Sequence, residues 1–297
     1  MRSKCRLNHT CKVTLPTQCF WVVGPLLLRK KEMMNESTSK VALITGASSG
    51  IGRAYARHLA SQGYNLVLVS KDISRLDRIS QELNGSTLLK LPVDLSKREG
   101  VELLLTKIPT PEIVVANAGI TMSAQVGQTN QKARDSLYYL LCGGVIDLLE
   151  TLVPKMKIGN GGRIVIISSI GALTPMRKSS LYASAKAAIA RYGDSLAEEL
   201  KDTEINLTVA LPGYVRTNAH ERAGLNHLKT QVPSWMWLTA EQTVEETEQA
   251  SLKGKTLIIP GTIYRYVRPL LGSSLANTVW RKLTARREPI RGAKNKK

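Results

Sequence analysis

A chain of 297 residues, 43% hydrophobic and 22% charged, is long enough for one large α/β domain or two small ones and has the composition of a globular protein. Its formal charge of +19 would suggest a nucleic-acid partner if it were spread over a folded surface. Residues 1–40 carry +6 and residues 265–297 carry +9, however, which leaves +4 for the body; no nucleic-acid partner is expected. No uninterrupted apolar run reaches the ~20 residues a membrane-spanning helix needs.

Residues 1–37 form a basic leader unlike the rest, either disordered or a mis-assigned start. Arg2, Lys4, Arg6 and Lys12 precede a ten-residue apolar stretch, Cys19 to Leu28, which ends on Arg29-Lys30-Lys31. The length suits a signal peptide, but no small-x-small cleavage site follows. Met33 and Met34, just before the first strand, make an over-extended start the first reading and a short membrane-surface anchor the second. Cys5, Cys11 and Cys19 lie in the leader and Cys142 alone in the body, which leaves no internal disulfide there and fits a reducing compartment. The leader spacings match no zinc pattern, and no metal site is expected. A cytoplasmic protein follows, with peripheral contact at the membrane as its variant.

From residue 38 short apolar runs alternate with amphipathic stretches, the pattern of βαβ units in a parallel sheet. Strands are predicted at about 40–45, 65–70, 87–92, 112–116, 162–168, 205–211 and 255–259. Helices are predicted at about 50–62, 72–84, 96–107, 130–157, 180–202 and 241–253. The nearly continuous apolar character of the strands requires cover on both faces. The fold class is therefore α/β, a Rossmann-type, doubly wound, seven-stranded parallel sheet in a single domain over 38–262.

Two segments break the rhythm. Residues 218–240, with Pro233, Trp235, Met236 and Trp237, form an apolar insertion. Residues 263–297 form a basic C-terminal helix and tail, with Tyr264, Val267, Leu271, Leu275, Val279 and Leu283 at helical spacing; packing onto the domain or a subunit is preferred to packing onto a membrane. The basic termini read either as solubilising tails or as segments weakly attracted to anionic lipid.

Thr45-Gly46-Ala47-Ser48-Ser49-Gly50-Ile51-Gly52 joins the first strand to the first helix. Gly46 permits the tight turn, Gly50 lets the backbone approach a pyrophosphate and Gly52 allows close helix–sheet packing. The helix start offers free N–H groups and a positive dipole end to the phosphates. The second strand ends Val69-Ser70-Lys71-Asp72. Ser70 stands where an acid would hold the ribose of NAD(H), and the Lys71 cation suits a 2′-phosphate, so NADP(H) is preferred over NAD(H). Asp72 is read as the cap of the following helix. Arg53 either assists the phosphate or faces solvent.

Taken with Asp94 after the third strand, Asn117-Ala118-Gly119 after the fourth, Ser169 after the fifth, Tyr182-Ala183-Ser184-Ala185-Lys186, and Pro212-Gly213-Tyr214-Val215-Arg216-Thr217, the chain resembles the short-chain dehydrogenase/reductase family over residues 38–262. The resemblance implies that Asp94 bonds the adenine amino group, with a backbone contact from Leu95; the other reading of Asp94 is a helix N-cap. It implies that Asn117, Ala118 and Gly119 lie along the adenosine ribose. It implies that Pro212, Gly213, Val215 and Thr217 cover the nicotinamide, with Val215 and Thr217 on its carboxamide.

The same resemblance makes Ser169, Tyr182 and Lys186 the catalytic residues. A phenol with a pKa near ~10 is a poor base at neutral pH. Tyr182 and Lys186, four apart, share one helix face, and the Lys186 ammonium is expected to lower the phenol pKa and to bond the nicotinamide ribose. Ser169 is preferred to Ser168 by its spacing of thirteen from Tyr182, and its hydroxyl would polarise the substrate carbonyl.

One family element is missing. The asparagine that holds a relay water falls at Leu141, for which backbone carbonyls at a kink near Gly143-Gly144, or the hydroxyl of Tyr138 or Tyr139, would have to substitute. Trp235, Met236 and Trp237 stand where the family carries its substrate lid and would line an apolar pocket. Two functions are weighed. The first is an NADP(H)-dependent oxidoreductase interconverting an apolar ketone, aldehyde or acyl ketone and its alcohol, with tyrosine as general acid/base. The second is an NADP(H)-binding protein with little catalysis because of Leu141. The helices at 130–157 and 180–202 resemble the pair through which the family forms dimers or tetramers, so a homo-oligomer is expected.

Overall fold

The computed structural model describes residues 40–217, 230 and 232–271. The chain partitions into two units, Met1–Ser39 and Lys40–Lys297; the leader and the basic tail beyond residue 271 lie outside the described residues. The elements follow in order: β1 (Val41–Thr45), α1 (Gly50–Ser61), β2 (Asn65–Ser70), α2 (Ile73–Glu82), β3 (Thr87–Pro92), α3 (Arg98–Lys107) and β4 (Ile113–Ala116). Then come α4 (Gln131–Tyr138), a π-helical turn (Tyr139–Gly143), α5 (Gly144–Ile158), β5 (Gly162–Ile167), α6 (Ser180–Glu199) and β6 (Ile205–Ala210). The rest is β7 (Tyr214–Val215), β8 (Trp237–Leu238), α7 (Ala240–Leu252), β9 (Leu257–Ile258) and α8 (Thr262–Leu271).

Seven strands form one parallel sheet in the order β3-β2-β1-β4-β5-β6-β9. The two-residue alternation of strand side chains divides the core into two layers. Leu43, Val67, Val114, Ile164 and Val209 face one cluster together with Leu104 of α3, Leu148 of α5 and Ile189 of α6. Ile44, Leu66, Val115, Val165 and Ala210 face the other, with Tyr55 and Leu59 of α1, Leu76 of α2 and Val244 of α7. Helices thus cover both faces, as the apolar strands require. Strand order reverses between β1 and β4, and that switch point opens a crevice at the carboxyl ends of the strands.

The helix expected at 130–157 forms over Gln131–Ile158 with a π-helical turn inside it. Gly143 and Gly144 leave room for the Tyr139 ring, since a Cβ on either would stand 3.2 or 3.1 Å from it, and the backbone widens into the π-helical turn there. By length and apolarity the continuous segment Gln131–Ile158 would suffice to cross a membrane. Here Leu137, Leu141, Leu148, Leu149, Leu152, Val153 and Met156 pack into the core. The small parallel pair β7–β8 was not anticipated, because two residues are too few to show a period.

Candidate active site

The switch-point crevice is a cleft of about 580 Å³ running across the carboxyl ends of β2, β1, β4 and β5. Its floor is built around Thr45. The Thr45 hydroxyl accepts the backbone N–H groups of Asn117 (2.9 Å) and Ala118 (3.0 Å). The Asn117 amide in turn donates to the Thr45 carbonyl (2.9 Å). The glycine loop and the Asn117-Ala118-Gly119 segment are therefore locked together.

Gly46 and Gly50 adopt φ +66° and +55°, the left-handed region that a Cβ disfavours. A Cβ on Gly46 would stand 2.9 Å from the Ala118 Cα, and one on Gly52 would collide with the Gly46 carbonyl. Gly52 therefore serves helix–sheet contact and does not itself line the cleft. Ser49 precedes α1 without a side-chain cap, so the first-turn N–H groups are not closed off by the residue before them. With Gly46, Ser48, Ser49, Gly50 and Ile51 lining the cleft, this cradle fits a dinucleotide pyrophosphate.

At the end of β2 the Ser48 and Ser70 hydroxyls are 2.8 Å apart. Asp72 caps α2 by accepting the Arg75 N–H (3.1 Å), as its sequence position suggested, and its other oxygen pairs with the Arg75 guanidinium (3.0 Å). Lys71 reaches Asp94 Oδ2 at 3.0 Å. The other oxygen of Asp94 accepts the Ser96 N–H (3.0 Å) and hydroxyl (2.7 Å). Although partial burial opposes it, the bonds from Ser96 and Lys71 hold the Asp94 carboxyl below its ordinary range. The N-cap reading of Asp94 is corrected: α3 starts at Arg98 with Lys97 before it, and Asp94 closes a local turn instead. Val93 and Leu95, on either side of it, line the cleft, whereas Asp94 does not. Arg53 pairs with Glu82, which also holds Arg57, and is not among the cleft residues.

At the other end β5 runs out into Ser168 and Ser169. The Ser168 hydroxyl donates to the Lys186 carbonyl (2.7 Å), fastening the strand to α6. The Ser169 hydroxyl accepts the Gly171 N–H (3.1 Å) and lies beside the Tyr182 phenol. Lys186 is 6% exposed, and its ammonium donates to the Ile167 carbonyl (2.7 Å). Burial pulls the lysine down to about 8, against a smaller opposing influence of the Cys142 thiol. Burial pushes the Tyr182 phenol up, and the neighbouring Ser169 hydroxyl works against it. The expectation that Lys186 lowers the phenol pKa is thus not met in this arrangement, because the ammonium is turned to the Ile167 carbonyl.

Leu141 is buried beside these groups. A Cβ on Gly119 would lie 3.0 Å from its Cδ2 and 3.8 Å from the Lys186 Nζ, so hydrocarbon occupies that wall. Tyr139 cannot substitute for a polar side chain there: its hydroxyl donates to Asp147 (2.7 Å), and Arg98 lies over its ring. The Tyr138 side chain is half-exposed.

The short chain dehydrogenase family profile matches residues 40–227, well over half of the chain. The chain belongs to the short-chain dehydrogenase/reductase family. An uncharacterized oxidoreductase of Staphylococcus haemolyticus is 31% identical over 67% of this chain and 88% of that one. A Drosophila melanogaster protein named dehydrogenase/reductase SDR family protein 7-like is 25% identical over 81% and 82%. A solved short-chain dehydrogenase from Sphingobium yanoikuyae, in complex with NADPH, is 25% identical with a TM-score of 0.68, over 86% of this chain and 98% of that one. A 7β-hydroxysteroid dehydrogenase, 17% identical with a TM-score of 0.72 over 83% and 97%, shares the fold. The protein is an NAD(P)-dependent dehydrogenase/reductase.

The Pro212–Thr217 segment of this dehydrogenase/reductase is held from behind. Pro212, Gly213, Val215 and Thr217 line the cleft, and Gly50 faces the Thr217 side chain across it. Tyr264 of α8 is fully buried. Its hydroxyl donates to the Met236 carbonyl (2.5 Å) and accepts the Tyr214 N–H (3.0 Å). A Cβ on Gly213 would collide with its ring. The described start of the C-terminal helix therefore packs on its own domain, while Tyr266 points outward.

Trp235, Met236 and Trp237 do not line the cleft. Met236 and Trp237 are buried, Trp237 against the Tyr214 ring and with its indole N–H donating to the Val232 carbonyl (3.2 Å); Trp235 is 62% exposed. Residues 218–229 and 231 of the expected lid lie outside the described residues. Sequence reasoning missed Thr174 to Lys178, Leu140 and Arg75, all of which line the cleft. Arg75, three residues after the capping Asp72, was findable from helical spacing. The 174–178 segment carries no motif.

Proposed function

We propose that this enzyme is an NADP(H)-dependent reductase that interconverts an apolar ketone or aldehyde and its alcohol, with Tyr182 as general acid/base. The observation that carries the reading is the grouping of Ser169, Tyr182 and Lys186 at one end of a cleft whose other end is a nucleotide cradle. A nicotinamide held at the Pro212–Thr217 segment would supply or take up the hydride at the carbonyl carbon. Ser169 holds the carbonyl oxygen and Tyr182 gives it a proton, returning as a base in the reverse direction. Lys186, charged below about 8, favours the phenolate once it turns from the Ile167 carbonyl. Leu140, Pro175 and Met176 supply apolar lining beside the trio, which supports an apolar substrate.

NADP(H) is the preferred cofactor. Ser70, Lys71 and Arg75 line the cleft at the end of β2, and the Asp72 carboxylate there is already engaged by Arg75. The exposed Lys71–Asp94 pair contributes about 0–1 kcal/mol and is readily exchanged for a phosphate. NADPH in the Sphingobium neighbour supports the same choice. Lys71→Ala is expected to weaken NADPH binding, read from the fluorescence of the bound cofactor, more than NADH binding; equal losses would remove Lys71 as selector.

Leu141 favours the second reading, a cofactor-binding protein with little catalysis. NADPH oxidation followed by absorbance over a panel of ketones and aldehydes separates the two. Wild type should oxidise NADPH and Tyr182→Phe should lose about 10²–10⁴-fold. Binding of NADPH without turnover by either protein would leave only the second reading. We further propose a homo-oligomer assembled through α5 and α6, to be tested by light scattering.

A further inference from the structure

A bound dinucleotide accounts for the cations at one end of the cleft, and the proposed chemistry accounts for Lys186, but neither accounts for Arg177. Among the described residues, Lys71, Arg75, Arg177, Lys178 and Lys186 line the cleft against the carboxylate of Asp72, which Arg75 already holds. Lys71 and Arg75 follow β2, whereas Arg177 and Lys178 follow β5. In the order β2-β1-β4-β5 those ends are three strand spacings apart, about 14 Å at ~4.8 Å each. A phosphate at the end of β2 is thus held on the opposite side of the cleft from β5, which the segment carrying Arg177 follows. Arg177 is exposed and makes no hydrogen bond or ion pair among the described residues.

The segment that presents it is built rather than loose. Arg177 and Lys178 are the central pair of a turn closed by the Ser179 N–H donating to the Met176 carbonyl (3.1 Å). Lys178 has φ +60°, in a turn position that ordinarily takes glycine or asparagine, and a strained residue at a cleft is a pointer to function. The turn is fastened by the Ala124 N–H donating to the Lys178 carbonyl (2.8 Å) and the Ser179 hydroxyl donating to the Met122 carbonyl (3.1 Å). Met176 sits beside the trio: a Cβ on Gly171 would meet Met176 Sδ, the Ser169 hydroxyl oxygen and Tyr182 Cε1 together.

We propose that the carbonyl substrate carries an anionic oxygen group, a carboxylate or a phosphate, which the Arg177 guanidinium binds at the cleft rim while the apolar part lies against Met176 and Leu140. This rests on the reductase reading above and narrows its substrate class. A guanidinium binds such oxygens through paired N–H donors, and a rim position leaves the length between carbonyl and anion to the substrate.

The test uses the full chain loaded with NADPH and a series of keto acids of increasing spacing between ketone and carboxylate, each beside its methyl ester and matched by phosphorylated hydroxyketones of the same lengths. For at least one spacing, kcat/KM for one anionic series should exceed that of the neutral ester tenfold or more, mainly through KM. Arg177→Gln should lower that ratio about tenfold and Arg177→Glu should invert it, with unchanged thermal melting. Equal use of charged and neutral ketones by wild type, or a ratio unmoved by either substitution, overturns the proposal and leaves the reductase reading standing. If no ketone is turned over the reductase reading fails, and calorimetry of the NADPH complex with decanoate, decyl phosphate and decanol decides the anion site separately. Arg177-dependent binding of either anion over decanol supports it; equal binding overturns it.

Discussion

Replacing Lys186 by methionine removes a buried ammonium while keeping most of its alkyl chain. Burial lowers this lysine from 10.5 to about 8. At about 1.4 kcal/mol per unit, holding the charge inside the fold costs on the order of 3 kcal/mol at pH 7. The substitution also strips the Ile167 carbonyl of its donor, a loss of about 1–3 kcal/mol. Lys186→Met is therefore expected to be more stable than wild type by about 1 kcal/mol at pH 7. The sign with pH is the sharper test. Because the folded-state pKa is depressed, the unfolded chain binds more protons between about 8 and 10.5, so wild-type stability gains on the order of 3 kcal/mol from this group as pH rises through that window. The methionine variant lacks that gain. Urea unfolding of the cofactor-free protein at several pH values from 7 to 10.5 reads the difference, in which other titrating groups cancel. Parallel profiles for the two proteins, or a variant less stable at every pH, would refute the argument that the lysine is held against its own desolvation.

Under the proposed mechanism, carbonyl reduction needs Tyr182 protonated and Lys186 charged. With the phenol pushed up and the lysine pulled down to about 8, kcat/KM for reduction should fall as pH rises through about 8; a flat profile to pH 10 would contradict the assigned roles. Tyr264→Phe removes two buried hydrogen bonds and should lower stability by about 2 kcal/mol, while weakening NADPH binding through the loosened Tyr214 segment. Chemical denaturation and cofactor fluorescence measure the two effects, and unchanged cofactor affinity would separate α8 from the site.

The sequence by itself determined the sheet and the chemistry. Strands buried on both faces must be nearly continuous in apolar residues, so β1, β2 and β4 to β6 were legible as local runs, and the helices between them followed from their period. Thr45–Gly52, Asn117–Gly119 and Tyr182–Lys186 were legible for a related reason. Each is a short contiguous segment in which one backbone geometry or one helix face brings the residues together. Tertiary structure decided whatever depends on residues distant in the chain. Ser168 and Ser169 are neighbours with different fates, because α6 takes one hydroxyl for its Lys186 carbonyl and presents Tyr182 to the other. Lys71 and Asp94 meet across β2 and β3, a pairing no local pattern encodes. The Trp235–Trp237 segment reads as a substrate lid by position, yet Tyr214 and Tyr264 draw Met236 and Trp237 into the core. Arg177 stands in a stretch without a motif and lines the cleft only through the packing of the segment after β5. Backbone-dictated features are written in the local sequence; the partners of a side chain are written in the packing.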